Sequence, residues 1–402
     1  MDDIGLDLVI LGGGVAGLWT LNRVVQAGYN AILLERDRLG GAQTIRSQGI
    51  IHGGIKYALD GVLTTASNTI REMPAIWRSC LDGSGQVDLR GVDILSDAHY
   101  LWSKKSIGGR MAAFFASHAL RDRVSHVPFH ARPGVFQDNR FHGTVYRLNE
   151  LVLDVGSLIK VLSGPVIGHI FQARPDEYEI DVREGRVMGL GFPAYGFTIR
   201  PKRVVICCGE GYEALAKRLS LSSPRMQRRP LHMVMVKFPQ HTKLPLYAHC
   251  LSGGARPLIT ITTHYGKDHG AIWYLGGEIA ESGTKRDEKR QIEKAKSTLG
   301  ELLPWVDLQG TRWATLRVDR AEPGQSTLTL PDSAFVEQHK NIIVAWPTKL
   351  ALAPDLAEKV MAYPAPAEGL FPPLPPTELA ALPVPAIAEA VWDGDSFDTT
   401  RE

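Results

Sequence analysis

The hydrophobic positions of the chain change their period along its length, and those changes mark the elements. Residues 6–11 (LDLVIL) are almost wholly apolar, as expected for a central parallel strand covered on both faces. Glycines follow, and residues 15–27 then carry apolar side chains at helical spacing until Gly28 ends the run. Residues 31–34 form a second apolar strand that closes on Glu35. Together they predict one strand–helix–strand unit.

Further along, residues 64–81 read as a helix broken at Pro74, and 154–162 (DVGSLIKVL) as a helix capped by Asp154. Between 83 and 150, short strands alternate with polar turns and one helix over 108–120. Residues 166–171 and 203–208 predict strands, the second closing on Gly209-Glu210-Gly211. The stretch 224–332 is again β-rich, with strands over 233–238, 258–263 and 272–276. A buried strand over 341–346 (NIIVAW) and a helix over 350–363 complete the pattern.

This alternation implies an α/β fold in which a Rossmann-like domain with a mostly parallel sheet is interrupted by a β-rich domain. The α/β pieces fall at 1–75, 151–222 and 335–363, and the β-rich pieces at 76–150 and 223–334. Residues 364–402 begin with a proline-rich run, PAPAEGLFPPLPP, and end acidic, which predicts an extended or disordered tail.

Composition narrows the function classes. The 402 residues suffice for two or three domains. With 44% hydrophobic residues, 22% charged and a net charge of +2, the chain lacks the basic excess of a nucleic-acid binder. No run of 18 apolar residues is present, so no transmembrane segment is expected, while peripheral membrane contact stays open. Cys80, Cys207, Cys208 and Cys250 show neither CxxC pairing nor metal-ligand spacing. They read as reduced packing residues of a cytoplasmic protein with no metal site.

The first chemical motif is GGGVAG over Gly12–Gly17, a G-x-G-x-x-G between strand and helix, with Glu35 ending the following strand. Gly12 permits the tight turn, Gly14 lets backbone approach a pyrophosphate, and Gly17 lets the helix pack closely on the strand. Phosphates then lie at the positive helix end, and Glu35 can accept hydrogen bonds from ribose hydroxyls. A dinucleotide is the expected ligand.

Two features separate this chain from a one-block NAD site: the threefold return to the α/β domain, and the glycine-rich stretch GGAQTIRSQGIIHGGIKYAL at 40–59. GGGVAG, Glu35, IRSQGIIHGGIKY and NIIVAWPTKLALAPDLAEKV resemble the FAD-dependent oxidoreductases of the D-amino-acid-oxidase type. The middle stretch is most similar to the 2-hydroxyglutarate dehydrogenase and glycerol-3-phosphate dehydrogenase branches. The resemblance implies FAD, with a β-sheet substrate domain capping the flavin ring.

It also implies roles for single residues. Gly12, Gly14, Gly17, Glu35 and Arg36 would hold the adenosine and pyrophosphate side. Thr44 and Arg46 would approach the pyrophosphate and ribityl chain, and Gly49, His52, Gly53 and Gly54 would pass beside the flavin. Val166 or Ile167 would offer backbone to the adenine, and Gly209 would close the strand under the cofactor. Thr348, Lys349 and Leu350 would open the last helix towards the pyrimidine side, where a positive helix end stabilises reduced flavin. The sequence departs from the family in its glycine-poor Trp346–Lys349 loop and in Gln48, which replaces a small hydroxyl residue. Lys349 reads equally as a compensating charge and as a surface lysine.

For the reaction, His52 is the candidate base, a type of side chain with an ordinary pKa of ~6.5; a neutral ring hydrogen-bonding loop backbone or flavin is the other reading. Arg317 matches the family's substrate-facing arginine, with Arg320 in reserve, because a guanidinium forks onto a carboxylate or phosphate. His232, His264 and Tyr265 are candidate lining residues. The expected function is oxidation of a small anionic substrate, a 2-hydroxy acid or polyol phosphate, by hydride transfer to flavin N5. The alternatives are an amine or amino-acid oxidase of the same fold, and a flavin-binding module without turnover acting through a partner. An RNA-modifying flavoprotein is disfavoured by the near-neutral charge. The electron acceptor is left open among oxygen, quinone and protein.

Overall fold

The computed structural model describes residues 2–54, 65–104, 124–251, 257–324, 333–365, 375–394 and 397, with backbone alone for 65–68. The helix expected over 108–120 and the 55–59 end of the glycine-rich stretch lie outside the described residues.

Strand β1 (Asp2–Leu11) leads through a glycine turn into helix α1 (Val15–Gln26) and strand β2 (Ala31–Glu35). The strand β1 runs parallel to β2 on one side and to Phe197–Ile206 on the other. Ile170–Gln172 adds to β2, and Ile342–Trp346 to the end of Phe197–Ile206, both parallel. This five-stranded parallel centre is buried on both faces, which is why its strands are continuous Val/Ile/Leu runs. Leu8 and Ile10 point into a core shared with α1 and the helices Val155–Ser163 and Ala353–Met361. Val9 and Leu11 point the other way, into a core with Phe192, Phe197 and Tyr212 from the antiparallel extension and a short helix.

A second sheet draws strands from both β-rich stretches. Its order is Arg312–Pro323, Met226–Lys237, Ala271–Gly276, Pro257–Tyr265, Ala248–Leu251, His99–Ser103, Thr144–Leu148 and Val124–His126. The two stretches join where Ala248–Leu251 pairs in parallel with His99–Ser103. One face of this cap sheet, bearing Val234, Val236, Ile261, Trp273 and Leu275, packs on the helix Glu288–Leu302. The opposite face carries Met233, Met235, Ile272 and Tyr274. A small third sheet joins Ile50–Ile51, Leu151–Leu153 and Ile94–Ser96.

Asp154 caps its helix by accepting from the Ser157 N–H at 2.7 Å. Three expectations change. Pro74 sits inside a continuous helix, Thr65–Asp82, whose buried Ile70, Met73, Trp77 and Cys80 compensate for the lost backbone donor. Residues 164–169 form a 3₁₀ helix instead of a strand, leaving only Ile170–Gln172 to pair with β2. Third, described residues of the expected tail are ordered. Leu379 and Leu382 are buried in the second core, and Ile387 bridges Leu39 in extended conformation. Few apolar residues suffice, because Leu379, Leu382 and Ile387 join cores that the parallel sheet already provides.

Candidate active site

Gly12 takes φ +110°, and a Cβ there would lie 2.7 Å from the Cα of Cys208. A Cβ on Gly17 would collide with the Gly12 carbonyl oxygen. The two glycines therefore permit strand, turn and helix to touch. The Gly13 N–H donates to Oε2 of Glu35 at 2.6 Å, and the Val15 N–H to Oγ1 of Thr44 at 3.2 Å. Around this turn lies a cavity of about 720 Å³. Its walls are Gly12–Gly14, Glu35–Arg38, Thr44–Arg46 and Cys207–Gly211, with Ala173 and Pro175 closing one side.

Downstream, Gly49 takes φ +71°, and a Cβ on it would collide with the Leu153 carbonyl oxygen. Ile50–Ile51 then pairs with Leu151–Leu153, so the chain arrives at His52 held against the small sheet. The Gly53 N–H donates to Oε1 of Glu150 at 3.0 Å, and Glu150 is 3% exposed. Ile50–Ile51 also packs against the 3₁₀ turn Leu350–Leu352, which brings the His52 turn and the 348–350 loop to one place. Thr348 adopts left-handed φ +59° and its hydroxyl donates to the Pro347 carbonyl at 2.6 Å. A loop poor in glycine thus still makes the left-handed turn, at the cost of backbone strain. Lys349, in extended conformation, is the N-cap of Leu350–Leu352.

The cap sheet presents Thr260, Thr262, His264 and Tyr274 on the face turned towards the 43–48 segment. Nε2 of Gln48 donates to Oγ1 of Thr262 at 3.2 Å and to the Tyr274 carbonyl at 2.9 Å. The Tyr274 hydroxyl donates to the Arg46 carbonyl at 2.9 Å. The Ala321 N–H donates to Oε1 of Gln43 at 3.1 Å. His264, fully buried, places Nε2 2.9 Å from Oγ1 of Thr262, and burial pushes its pKa down to about 3. The ring is therefore neutral. Trp392 stacks on its other side, with centroids 4.2 Å apart and planes at 28°.

Residues 7–346 match the DAO family model, described as FAD dependent oxidoreductase. The chain is 49% identical over 394 residues to a probable FAD-dependent oxidoreductase of Pseudomonas aeruginosa, covering 97% of this chain and 98% of that one. The crystal structure of that protein superposes with a TM-score of 0.82, covering 98% of each chain. The chain belongs to the DAO family of FAD-dependent oxidoreductases. More distant folds agree with the architecture. Glycine oxidase from Geobacillus kaustophilus has a TM-score of 0.63 at 14% identity, covering 89% of this chain and 95% of that one. L-α-glycerophosphate oxidase from Mycoplasma pneumoniae, with FAD bound, has a TM-score of 0.61 at 11% identity, covering 89% and 94%.

The cavity of this DAO-family flavoenzyme suits the adenosine and pyrophosphate half of FAD. Gly12 and Gly14 bring backbone to it at the start of α1, and Glu35 lines it beside that turn. Gly209, at φ +52°, and Arg36, paired with Asp37 and Glu210, also line it. Cys207 and Cys208 form its floor. Burial raises both thiols, that of Cys208 to about 12, so neither is a thiolate nucleophile at neutral pH.

Several sequence-based placements in the flavoenzyme are corrected. Val166 is buried in the first core and Ile167 is 45% exposed, so neither reaches the cavity. Ala173, whose N–H donates to the Glu35 carbonyl at 2.9 Å, lines the cavity on that side. His232 and Arg317 pair on neighbouring strands and turn to the helix side of the cap sheet. There His232 Nδ1 meets the Gly283 carbonyl at 3.1 Å, while Arg317 donates to the carbonyls of Thr284 and Arg286 at 3.2 and 2.8 Å. Tyr265 is 47% exposed at its strand end. Arg320 lies three residues beyond Arg317 and therefore on the opposite face, in register with Arg229 and beside the Gln43 contact.

Sequence reading passed over Glu150 and Gln48 as partners of the site. Glu150 had a legible signal: a lone acid between two apolar strands, where burial requires a hydrogen-bond donor. Among the described residues no helix is long and apolar enough to cross a membrane, and no cluster of metal-ligating side chains occurs.

Proposed function

We propose that this enzyme oxidises a small anionic substrate with a hydroxyl on the reacting carbon, of the 2-hydroxy acid or polyol phosphate type. The observation that carries the reading is the pinning of the cap face onto the 43–48 segment through Gln48, Tyr274 and Gln43. The segment that walls the cofactor cavity thereby also sets the height of the face above it, as substrate positioning requires. FAD, when bound, supplies the hydride acceptor. Arg320, in the role expected of Arg317, anchors the anionic group from the cap face. Thr260 and Thr262 fix that face through bonds to His249, Gln48 and His264, and His264, held neutral, adds no competing charge.

His52 takes the hydroxyl proton in this reading, and Glu150 holds the turn that presents it through the Gly53 N–H. Thr348, Lys349 and Leu350 border the same turn on the pyrimidine side of the flavin.

The test is anaerobic mixing of the purified holoenzyme with 2-hydroxy acids, polyol phosphates and amino acids. Bleaching of the flavin by the first two classes supports the proposal. Reduction by amino acids alone would replace it with amino-acid oxidation, and reduction by none would favour a flavin module without turnover. For the base, His52→Asn should slow reduction and remove its acid limb. An unchanged rate and pH profile would retire that role.

A further inference from the structure

The C-terminal stretch after Met361 is the part of the chain that neither the family match nor the reaction uses, since the match ends at residue 346. Part of it nevertheless lines the cofactor cavity. Ala388, Glu389 and Val391 line it, with Ala388 beside Leu39 and Gly41. Backbone bonds hold them there: the Leu39 N–H donates to the Ala386 carbonyl at 2.9 Å, and the Ala388 N–H to the Leu39 carbonyl at 3.0 Å. Upstream, the Gln172 N–H donates to the Pro383 carbonyl at 2.7 Å, fastening the stretch to the edge strand of the parallel sheet.

Downstream the anchors are on the cap sheet. Trp392 is 4% exposed, stacks on His264 and meets Tyr274 edge-on at 6.0 Å. Asp393 accepts through Oδ1 from the Lys267 N–H at 2.8 Å. Glu389 pairs with Lys267 at 3.4 Å, and Phe397 is buried beside Trp392. One segment therefore spans the parallel sheet, the cavity mouth and the cap.

We infer that residues 383–394 are part of the FAD site, a clasp over the cavity that retains the cofactor. Ala388, Glu389 and Val391 contact the bound dinucleotide, and Trp392 holds the clasp down from the cap side. FAD leaves this cavity only when those anchors release, so the anchors set its dissociation rate. A single stacked ring contributes about 0.5–1.5 kcal/mol beyond its buried area, enough for its loss to be read in an off-rate.

The experiment compares full-length holoenzyme with a chain ending after Leu382, which keeps Leu379 and Leu382 in their core, and with Trp392→Ala and Ala388→Pro. FAD release is followed by the rise of free-flavin fluorescence on dilution, and melting is measured with and without added FAD. Release is expected to be about tenfold faster or more for the truncated chain, equivalent to ~1.4 kcal/mol, and intermediate for Trp392→Ala. Loss of the buried Trp392 ring lowers the apo melting temperature by itself, so the diagnostic is the gain on adding FAD, which should shrink in each variant. Unchanged release in the two point variants would overturn the inference. So would an equal fall of melting temperature with and without FAD, since that marks a brace of the fold and not a cofactor contact. Failure of the full-length protein to bind FAD at all would instead remove the cofactor assignment itself.

Discussion

His232 and Arg317 stand directly opposite each other on neighbouring antiparallel strands, and both side chains turn away from the face that carries Tyr274. Arg317 spends its guanidinium on two backbone carbonyls of the 284–286 turn. Desolvation lowers the His232 pKa beside it. Strand alternation decides this arrangement, because a shift of one position moves a side chain to the other face.

Arg317→Ala should accordingly leave substrate affinity within about twofold and change stability by roughly 0.5 kcal/mol, as for exposed positions. Arg320→Ala should raise KM about tenfold or more, because a charged hydrogen bond to substrate contributes ~1.5–3 kcal/mol. Rates of flavin reduction over a range of substrate concentrations separate the two. The reverse ranking would return the anchor to Arg317.

Glu35→Ala removes the acceptor of the Gly13 N–H, which in the proposed site would also accept from the ribose hydroxyls. FAD affinity should fall about 10- to 100-fold, the equivalent of one charged hydrogen bond. Fluorescence titration of the apoenzyme measures it, and Glu35→Gln should recover part of the loss.

Gly17→Ala puts a methyl against the Gly12 carbonyl, backbone that cannot swing aside, with the Leu33 side chain also close at 3.2 Å. Overpacking of that kind costs about 1–3 kcal/mol. The variant should melt several degrees lower even without FAD, whereas Gly300→Ala, with open space around the added carbon, should not.

His264 gives the protein an acid-side dependence of stability. Its pKa lies at about 3 in the fold, below the ordinary value of 6.5, so between those limits the unfolded chain binds a proton that the folded chain does not. Stability therefore rises with pH through that window, and falls on acidification by up to about 1.4 kcal/mol per pH unit from this group. Melting temperatures between pH 4 and 7 should show a shallower slope in His264→Asn than in the parent. Equal slopes would mean that the ring is not buried neutral.

The dinucleotide turn was legible at sequence level because each of its requirements is local. Gly12, Gly14 and Gly17 answer contacts made within one strand–helix–strand unit, and Glu35 ends the next strand. The cap was legible only as β-rich sequence. Which of its alternating residues face the cofactor depends on pairing between strands far apart in the chain, as in His99–Ser103 with Ala248–Leu251. The misplacement of Val166 has a local cause: an apolar run too short to distinguish a strand from a 3₁₀ turn.

By itself the sequence determined the α/β class, the FAD-type turn and the glycine path past His52, because backbone sterics and hydrophobic period act over a few residues. Only the tertiary structure decided that Arg320 and not Arg317 shares the Tyr274 face, that Glu150 holds Gly53, and that Ala388, Glu389 and Val391 line the cofactor cavity. Each of these rests on a contact between segments remote in sequence, and burial of the joint surface chooses among the many pairings that local preference leaves open.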